Sequence, residues 1–404
     1  MTVTIEESPL RGESASATRP WEALVVSDCT DLTLALPHLL WRAGFSVDVI
    51  ATTGVMRSSK FVRSAQIFTS EHDLAPAVLE QMVARAKPYD WVIAADDLAL
   101  KLLGSFPWPE ALRPRLLPLE GAGLANHLFS KIGLSRALSA GGVQTPPFHA
   151  AACTSEAIEW AREHGYPVFL KVDSSRGGEG VYECCRDDDI ERQKALFASS
   201  PLLVQKKIDG AEIDLSAIYF DHELVHFSYA RVEKAKDRFG PSIVRTYYPL
   251  PLVDERVFTE LTRLGRALDA NGFSNISSIE AADGSGRYYF EADLRPNVWI
   301  DFPKYFGEDP APQIRAWFRS GTCLSLESLK RSEPCVPVTL PYFLRMKWWE
   351  VLTNRYGVWR YISLADPMLM LERCTPRWIL RLAAAIFPVP LRRKLRTWLR
   401  PLAG

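Results

Sequence analysis

Short apolar runs alternate with helix-like segments over the first hundred residues, and this alternation restricts the possible folds more than any other feature of the sequence. The apolar runs, which are typical of strands buried on both faces, lie at 23–28, 45–52 and 89–96. The segments with helical spacing lie at 32–44 and 74–86. Strands that alternate with helices predict a doubly wound α/β domain over residues 21–120. The absence of GxGxxG after the first run argues against a dinucleotide site there.

A second region of mixed α/β character is predicted from residue 121 to about 325. Its predicted elements are a helix at 154–165 and strands at 166–173, 181–185, 202–208 and 212–220. The last two strands are predicted to be joined by a tight turn at Asp209 and Gly210. A hairpin that turns at 283–286 follows near the end of the region.

The charge balance and the cysteine content exclude several classes of protein. Lys plus Arg and Asp plus Glu both number 48, so no net charge favours nucleic acid or an anionic membrane. The seven cysteines form no CxxC pair, which predicts a reduced protein without a disulfide framework or a zinc site. Residues 1–20 are polar and predict a disordered tail without a signal peptide. No run reaches the roughly 18 apolar residues of a membrane span, so the sequence predicts a soluble, cytoplasmic protein.

A lysine and a glycine-rich loop adjoin the strand predicted at 166–173. Lys171 lies near the end of that strand, and Gly177, Gly178 and Gly180 follow it. Glycine lets backbone N–H groups approach phosphate oxygens, and a neighbouring lysine supplies a positive charge for them. The pattern indicates a phosphate site, although it is not a Walker A loop. The alternative is a mobile hairpin loop beside a solvated lysine.

The end of the strand at 202–208 has features that suit a nucleoside. A strand that runs from Gln205 through Ile208 into a linker can offer adenine a backbone N–H and a carbonyl. The carboxylate of Glu212, seven residues after Gln205, could accept hydrogen bonds from ribose hydroxyls. The alternative for Glu212 is a solvated strand end.

The last predicted hairpin carries Glu280 on one strand and Glu291, Asp293 and Arg295 on the other. Residues two apart in a strand share a face, so the last three side chains are predicted to point the same way. Two carboxylates on one face are costly to bury unless a cation joins them, and oxygen ligands suit Mg²⁺. Glu280, Glu291 and Asp293 are therefore candidate metal ligands, and Arg295 could hold a transferred phosphoryl group. A salt-bridge ladder on an exposed strand is the alternative.

Taken in chain order, these motifs resemble the ATP-grasp superfamily, and most of all its carbamoyl-phosphate-synthase-like and carboxylate–amine ligase members. The resemblance covers residues 21–320 and rests on Lys131 before a Pro-Pro turn, on YPVFLK, SSRGGEGV, LLVQKKIDGAEID and FEADLR. It implies a Rossmann-like pre-ATP-grasp domain at 21–120 and the two α+β subdomains of an ATP-grasp domain at 121–325, with a lid at about 150–210. A helical, basic C-terminal extension is predicted at 340–404.

The resemblance also implies roles for individual residues. The nucleotide would be bound by Lys131 and Lys171 at the phosphates, by Gly177, Gly178 and Gly180 in the closing loop, by Gln205 and Ile208 at adenine, and by Glu212 at ribose. Glu280 and Glu291 would hold Mg²⁺ or Mn²⁺, together with Asp293. Asp293 stands where the family usually has Asn, and the change keeps an oxygen ligand. Gln205 stands where a Glu is common, and the change keeps the backbone contacts to adenine. Arg295 is the first candidate for the catalytic arginine, and Arg231 and Arg245 are weaker candidates.

The activity that the resemblance implies is an ATP-dependent ligation. A substrate carboxylate attacks the γ-phosphate of ATP, and an amine then captures the acyl phosphate to form an amide. Residues 228–249 are rich in Lys, Arg and Tyr, which suits an anionic substrate, with a solvated, charged lid as the alternative. We expect the partners to be small carboxylate and amine substrates and not nucleic acid. A homodimer is the expected assembly. A degenerate protein that binds nucleotide for regulation is a further interpretation.

The composition of the C-terminal segment bears on a second type of partner. After Glu372 the chain contains seven Arg and one Lys but no acid, and these cations alternate with Trp, Leu and Ile. This composition over 372–404 favours one of two arrangements. The segment either contacts the inner face of a membrane peripherally or forms a helix that packs on the rest of the protein with its arginines exposed to solvent. In the first case the protein would act on a lipid-linked or cell-envelope precursor.

Overall fold

The computed structural model describes residues 20–28, 36–52, 59–109, 112, 116–119, 126–175, 179–327, 335–342 and 345–359. Several predictions therefore lie outside the described residues. These are the tail at 1–19, the loop residues Gly177 and Gly178, and the extension from 360 onward, including the segment 372–404.

The first domain contains a four-stranded parallel sheet with the order β3-β2-β1-β4. Its elements are β1 (Trp21–Ser27), α1 (Leu36–Ala43), β2 (Phe45–Ala51), β3 (Val62–Ile67), α2 (Leu74–Ala84), β4 (Trp91–Ala94) and α3 (Asp97–Ser105). The three apolar runs form the three buried strands β1, β2 and β4. The sequence analysis missed β3, an edge strand of partly buried and exposed residues that carries no continuous apolar run.

The second sheet is a small antiparallel one with the order β5-β8-β6-β7, and we call it the lid. It follows helix α4 (Lys131–Ala140). Its elements are β5 (Phe148–Ala151), α5 (Thr154–His164), β6 (Val168–Val172), β7 (Val181–Cys184), α6 (Asp187–Glu191) and β8 (Leu202–Lys206). A small core of its own lies between this sheet and α5.

The third sheet is antiparallel, has six strands in the order β13-β12-β9-β10-β11-β14, and is called the large sheet below. Its strands are β9 (Gly210–Phe220), β10 (Glu223–Ala235), β11 (Ser242–Tyr248), β12 (Gly272–Ala281), β13 (Arg287–Asp293) and β14 (Val338–Pro341). The helices of this part are α7 (Glu255–Ala267), α8 (Pro310–Ser320) and α9 (Trp348–Leu352). Since β14 pairs with β11, the large sheet extends past the boundary predicted at 325.

The tight turn predicted at Asp209 and Gly210 between β8 and β9 is not found. β8 belongs to the lid and β9 to the large sheet, so the connection between them is a crossing from one sheet to the other. A Cβ atom on Gly210 would lie 2.0 Å from the carbonyl oxygen of Glu280, which explains the glycine at this close approach. The crossing places the nucleoside candidates Gln205, Ile208 and Glu212 where the two sheets meet.

The first domain packs directly on the large sheet. The ring of Trp91 on β4 lies 4.9 Å from that of Phe273 on β12 and 4.9 Å from that of Phe220 on β9. These residues belong to a core that also contains side chains of α1 and α8. Among the residues described, no helix is long and apolar enough to cross a membrane.

Candidate functional site

Lys171 lies on β6, on the lid, with its side chain almost fully buried. Its Nζ donates a hydrogen bond to Oε1 of Gln205 at 2.7 Å and lies 5.1 Å from the centre of the Phe290 ring. Burial lowers the pKa of Lys171 to about 8, and the charge of Glu291 opposes that shift. A lysine that is buried beside a carboxylate of the large sheet shows that the lid and the hairpin face each other.

Lys131 reaches the same cleft from the first turn of α4. Ser130 caps this helix and donates to Oδ1 of Asp173 at 2.9 Å, and the backbone N–H of Ile132 donates to the same oxygen at 2.8 Å. Asp173 follows β6, so it fixes the start of α4 against the lid. Nζ of Lys131 donates to the carbonyl of Ser175 at 2.8 Å, at the entrance of the glycine-rich loop. Burial lowers the pKa of Lys131, while Glu291 and Asp293 act to raise it.

Gly180 ends the glycine-rich loop and has a backbone conformation that other residues rarely adopt, with φ of +69°. Its carbonyl accepts a hydrogen bond from the N–H of Val172 at 2.9 Å, which closes the loop between β6 and β7. The loop thus begins beside Lys131 and returns beside Lys171.

Glu291 and Asp293 share one face of β13, as the sequence predicts. Their partners across the ladder are Ser277 and Asn275 on β12. Glu291 keeps contact with solvent, yet the surrounding protein raises its pKa, and the neighbouring charge of Asp293 raises it further. Burial also raises the pKa of Asp293, although Arg295 opposes this shift. Two carboxylates with raised pKa values therefore lie side by side on this face, and a cation would stabilise their charged forms.

Arg295 lies just beyond the end of β13 and connects three parts of the molecule. Its Nη2 donates to Oδ2 of Asp293 at 2.8 Å and to Oδ2 of Asp97 at 3.1 Å. Asp97 is the first residue of α3, so the first domain contributes directly to the site. The sequence analysis did not identify Asp97, because the contact joins residues 198 positions apart and no local pattern marks it.

The prediction that Glu280 joins Glu291 and Asp293 is wrong. Glu280 is three residues from Ser277 on β12, so its side chain lies on the opposite face of the sheet. There it lies 3.4 Å from Nη2 of Arg287 and accepts a hydrogen bond from Tyr229. In the described part of the chain, no cluster of three or more His, Cys, Asp or Glu could hold a metal ion. The acidic set is thus a pair, Glu291 and Asp293.

The nucleoside candidates lie together between the lid and the large sheet. Gln205 is 1% exposed, and its Nε2 has no hydrogen-bond partner among the described residues. Ile208 is half-buried in the connection between β8 and β9. Glu212 keeps contact with solvent, yet the surrounding protein and the charge of Asp214 raise its pKa to about 7. The orphaned amide and the protonatable acid are groups that a polar ligand would satisfy.

The structure separates the two weaker arginine candidates. Arg231 is exposed and pairs with Glu233 at 3.0 Å, and its partner across the ladder, Ile213, belongs to the apolar core on the other face of the large sheet. Arg231 therefore lies away from the acid pair. Arg245 is buried on the site face, where its Nη2 lies 2.7 Å from Oδ2 of Asp214. Asp214 was also missed by the sequence analysis.

Comparison with known proteins gives relatives for part of the chain and for the fold. No protein-family model matches the chain. The carbamoyl phosphate synthase large chain of Thermomicrobium roseum is 31% identical over 219 residues, which are 51% of this chain and 20% of the relative. The chain thus spans about a fifth of the length of that protein.

Two solved structures share the fold over most of the chain. The N5-carboxyaminoimidazole synthetase of Staphylococcus aureus, complexed with ADP, matches with a TM-score of 0.62 and 12% identity, over 84% of this chain and 86% of the other. The L-amino acid ligase of Bacillus licheniformis matches with a TM-score of 0.53 and 16% identity, over 80% and 79%. At these identities the likeness shows the fold alone.

Proposed function

We propose, from the premise that the chain belongs to the ATP-grasp superfamily, that it is an ATP- and Mg²⁺-dependent ligase that activates a substrate carboxylate and couples it to an amine. The superfamily and the mixed α/β fold that the sequence predicts are confirmed. The reaction, its substrates and the roles of individual residues are proposals.

One observation carries the proposal: two lysines and two carboxylates from separate elements meet in one cleft. Lys131 comes from α4, Lys171 from the lid, and Glu291 with Asp293 from the large sheet. A structural ion-pair cluster would place each lysine against a carboxylate. Here Nζ of Lys131 instead contacts Ser175, and Nζ of Lys171 contacts Gln205. Both ammonium groups therefore remain able to bind an anion that carries its own metal ion, such as a nucleoside triphosphate.

The acid pair fits a magnesium ion. Mg²⁺ is commonly held by one or two carboxylates together with phosphate oxygens, and Glu291 and Asp293 supply that number of carboxylates. The surrounding protein raises the pKa of both carboxylates, so a bound cation would favour their charged forms. When bound, the ion would neutralise charge on the phosphates of ATP.

The residues of the chain would act mainly by positioning and by electrostatics. Lys131 and Lys171 would hold phosphate oxygens, and Gln205 would offer its free Nε2–H group to the nucleotide. Arg295 is fixed by Asp97 and Asp293, so its guanidinium would stay in place while charge develops on the transferred phosphoryl group. The substrate carboxylate oxygen forms a bond to the γ-phosphorus as the bond to ADP breaks. The amine nitrogen then attacks the acyl carbon, loses a proton, and releases phosphate.

A screen for ADP release would test this function. Candidate acids and amines are supplied in pairs with ATP and Mg²⁺, and ADP is measured for the native protein and for Lys171→Met. We expect ADP only when a suitable acid is present and a loss of at least a hundredfold in the variant, since the lysine charge would be used in the transition state. Glu280→Gln, on the opposite face of the same hairpin, is the matched control. Tight ATP binding without ADP from any pair would instead support a nucleotide-binding regulator.

A further inference from the structure

Arg245 of β11 is held in a fixed orientation inside the protein. It is 4% exposed, its Nε donates to Oγ of Ser242 at 2.8 Å, and its Nη2 lies 2.7 Å from Oδ2 of Asp214. The ring of Trp299 lies 4.7 Å from the guanidinium carbon. Two of the three nitrogens are therefore committed to named partners, and the plane of the group is set by the ring beside it.

The third nitrogen of Arg245 lacks such a partner. Nη1 is closed off from solvent and has no hydrogen-bond partner among the residues that the structure describes. A buried N–H donor of a charged group is costly to leave unsatisfied, and native proteins satisfy such donors with a protein group, a water or a ligand. An anionic ligand would complete the coordination of this guanidinium.

The face of the large sheet shows where such a ligand would lie. Glu291 is opposite Ser277, Ser277 is opposite Asp214, and Oγ of Ser277 donates to Oδ1 of Asp214 at 2.9 Å. Because Arg245 pairs with Asp214 on that same face, a continuous row of polar groups runs from the acid pair to the guanidinium. Asp214 is two strands from Glu291, which at the usual strand spacing corresponds to about 10 Å.

This separation limits which substrates could use both ends of the row. A one-carbon acid whose carboxylate reacts beside Glu291 and Asp293 would be too short to reach Arg245 as well. We infer that Arg245 anchors a second anionic group of the substrate, an inference that rests on the proposed function. The substrate acid would then be an extended molecule with an anionic group at each end. The probe for that second group is a carboxylate.

Binding of linear dicarboxylates of increasing length tests this inference. Malonate, glutarate and pimelate are titrated by calorimetry in the presence of Mg²⁺ and a non-hydrolysable ATP analogue, with acetate as the single-carboxylate reference. We expect the longer diacids to bind more tightly than acetate. Arg245→Lys keeps the charge beside Asp214 but lacks the third nitrogen, so it should weaken diacid binding at least tenfold and leave acetate unchanged. Arg287→Lys, a buried ion-paired arginine of the same sheet on its opposite face, is the control.

Tryptophan fluorescence gives a second measurement of diacid binding at Arg245. Since Trp299 covers the guanidinium, diacid binding should change tryptophan fluorescence, and Trp299→Phe should remove that change while the protein still binds the diacid. Equal diacid affinity in Arg245→Lys and the native protein, or no dependence on chain length, would overturn the inference. If the ATP analogue binds and no diacid does, this inference fails while the nucleotide site stands. If the analogue does not bind either, the proposed function fails with it.

Discussion

At the scale of single residues, the polar groups of the site and those of the core differ in what surrounds them. In the cleft, Lys171 is buried and Glu291 keeps contact with solvent, and each shifts the pKa of the other toward the charged form. In the core, His226 on β10 is 2% exposed, and both of its ring nitrogens lack hydrogen-bond partners among the described residues. Its environment therefore favours the neutral ring, and the buried histidine affects stability without taking part in the candidate site.

His226 should make the protein less stable in mild acid. Burial lowers its pKa to about 4, although the charge of Asp309 opposes this, whereas in the unfolded chain the pKa is close to 6.5. Between these values the unfolded state binds more protons, so the free energy of unfolding falls as the pH drops from 6.5 to 4. The full effect is about 3 kcal/mol. Denaturant unfolding of the native protein and of His226→Leu at pH 7 and pH 4.5 measures it. An equal pH dependence in both proteins would contradict the assignment.

At the scale of elements, the loop between β10 and β11 joins the large sheet to the lid. Arg238 in this loop contacts Glu183 of β7, and Nζ of Lys207 lies 3.1 Å from Oε1 of the same carboxylate. The ring of Phe239 meets that of Phe169 on β6 edge-on at 5.8 Å. Phe169 and Lys171 are two residues apart and share a face of β6. The loop therefore contacts the lid on the face that carries the phosphate candidate.

Removal of Glu183 should weaken the contact that holds the lid in place. In Glu183→Ala we expect the Kd for ATP·Mg²⁺ to rise about threefold to fivefold, because partly exposed ion pairs contribute at most about 1 kcal/mol. Calorimetry measures the affinity, and the thermal midpoint should stay nearly unchanged. Glu191→Ala, an exposed acid on the lid helix α6, is the control and should bind as the native protein does. Unaltered affinity in Glu183→Ala would show that this loop does not contribute to lid closure.

The elements that the sequence predicted best are those with a strong local pattern. β1, β2 and β4 are continuous apolar runs, and the β12–β13 hairpin has a clear turn, so each appears close to its predicted place. The crossing from β8 to β9 could not be predicted, because Asp-Gly between two apolar strands also suits a tight turn. The face of Glu280 follows from its register with β13, which depends on pairing rather than on residue type. The Arg245–Asp214 pair likewise depends on the order of strands in the sheet.

At the scale of the whole molecule, the first domain is part of the candidate site as well as of the fold. Asp97 contacts Arg295 across the domain boundary, and Trp91 packs on Phe273 and Phe220 of the large sheet. Arg42 of α1 contacts Asp301 and Asp309, which precede and cap α8. These contacts predict that the first domain and the large sheet unfold together.

Trp91→Ala should therefore destabilise the whole protein rather than one domain. We expect a loss of at least about 2 kcal/mol in the free energy of unfolding, since the substitution leaves a cavity between the two sheets. Trp41→Ala removes a tryptophan that is 54% exposed and should change stability by less than about 0.5 kcal/mol. Calorimetric unfolding that shows a separate early transition in Trp91→Ala, with the remainder unchanged, would contradict the coupling.

Calorimetric titration of ATP in the presence and absence of Mg²⁺ tests the central claim most directly. It compares the native protein with the double variant Glu291→Ala/Asp293→Ala and with Glu280→Ala, which removes an acid from the other face of the same hairpin. The account predicts that the native protein and Glu280→Ala bind ATP more tightly with Mg²⁺, and that the double variant loses this Mg²⁺-dependent gain. Equal Mg²⁺ dependence in all three proteins, or no ATP binding by the native protein, would contradict it.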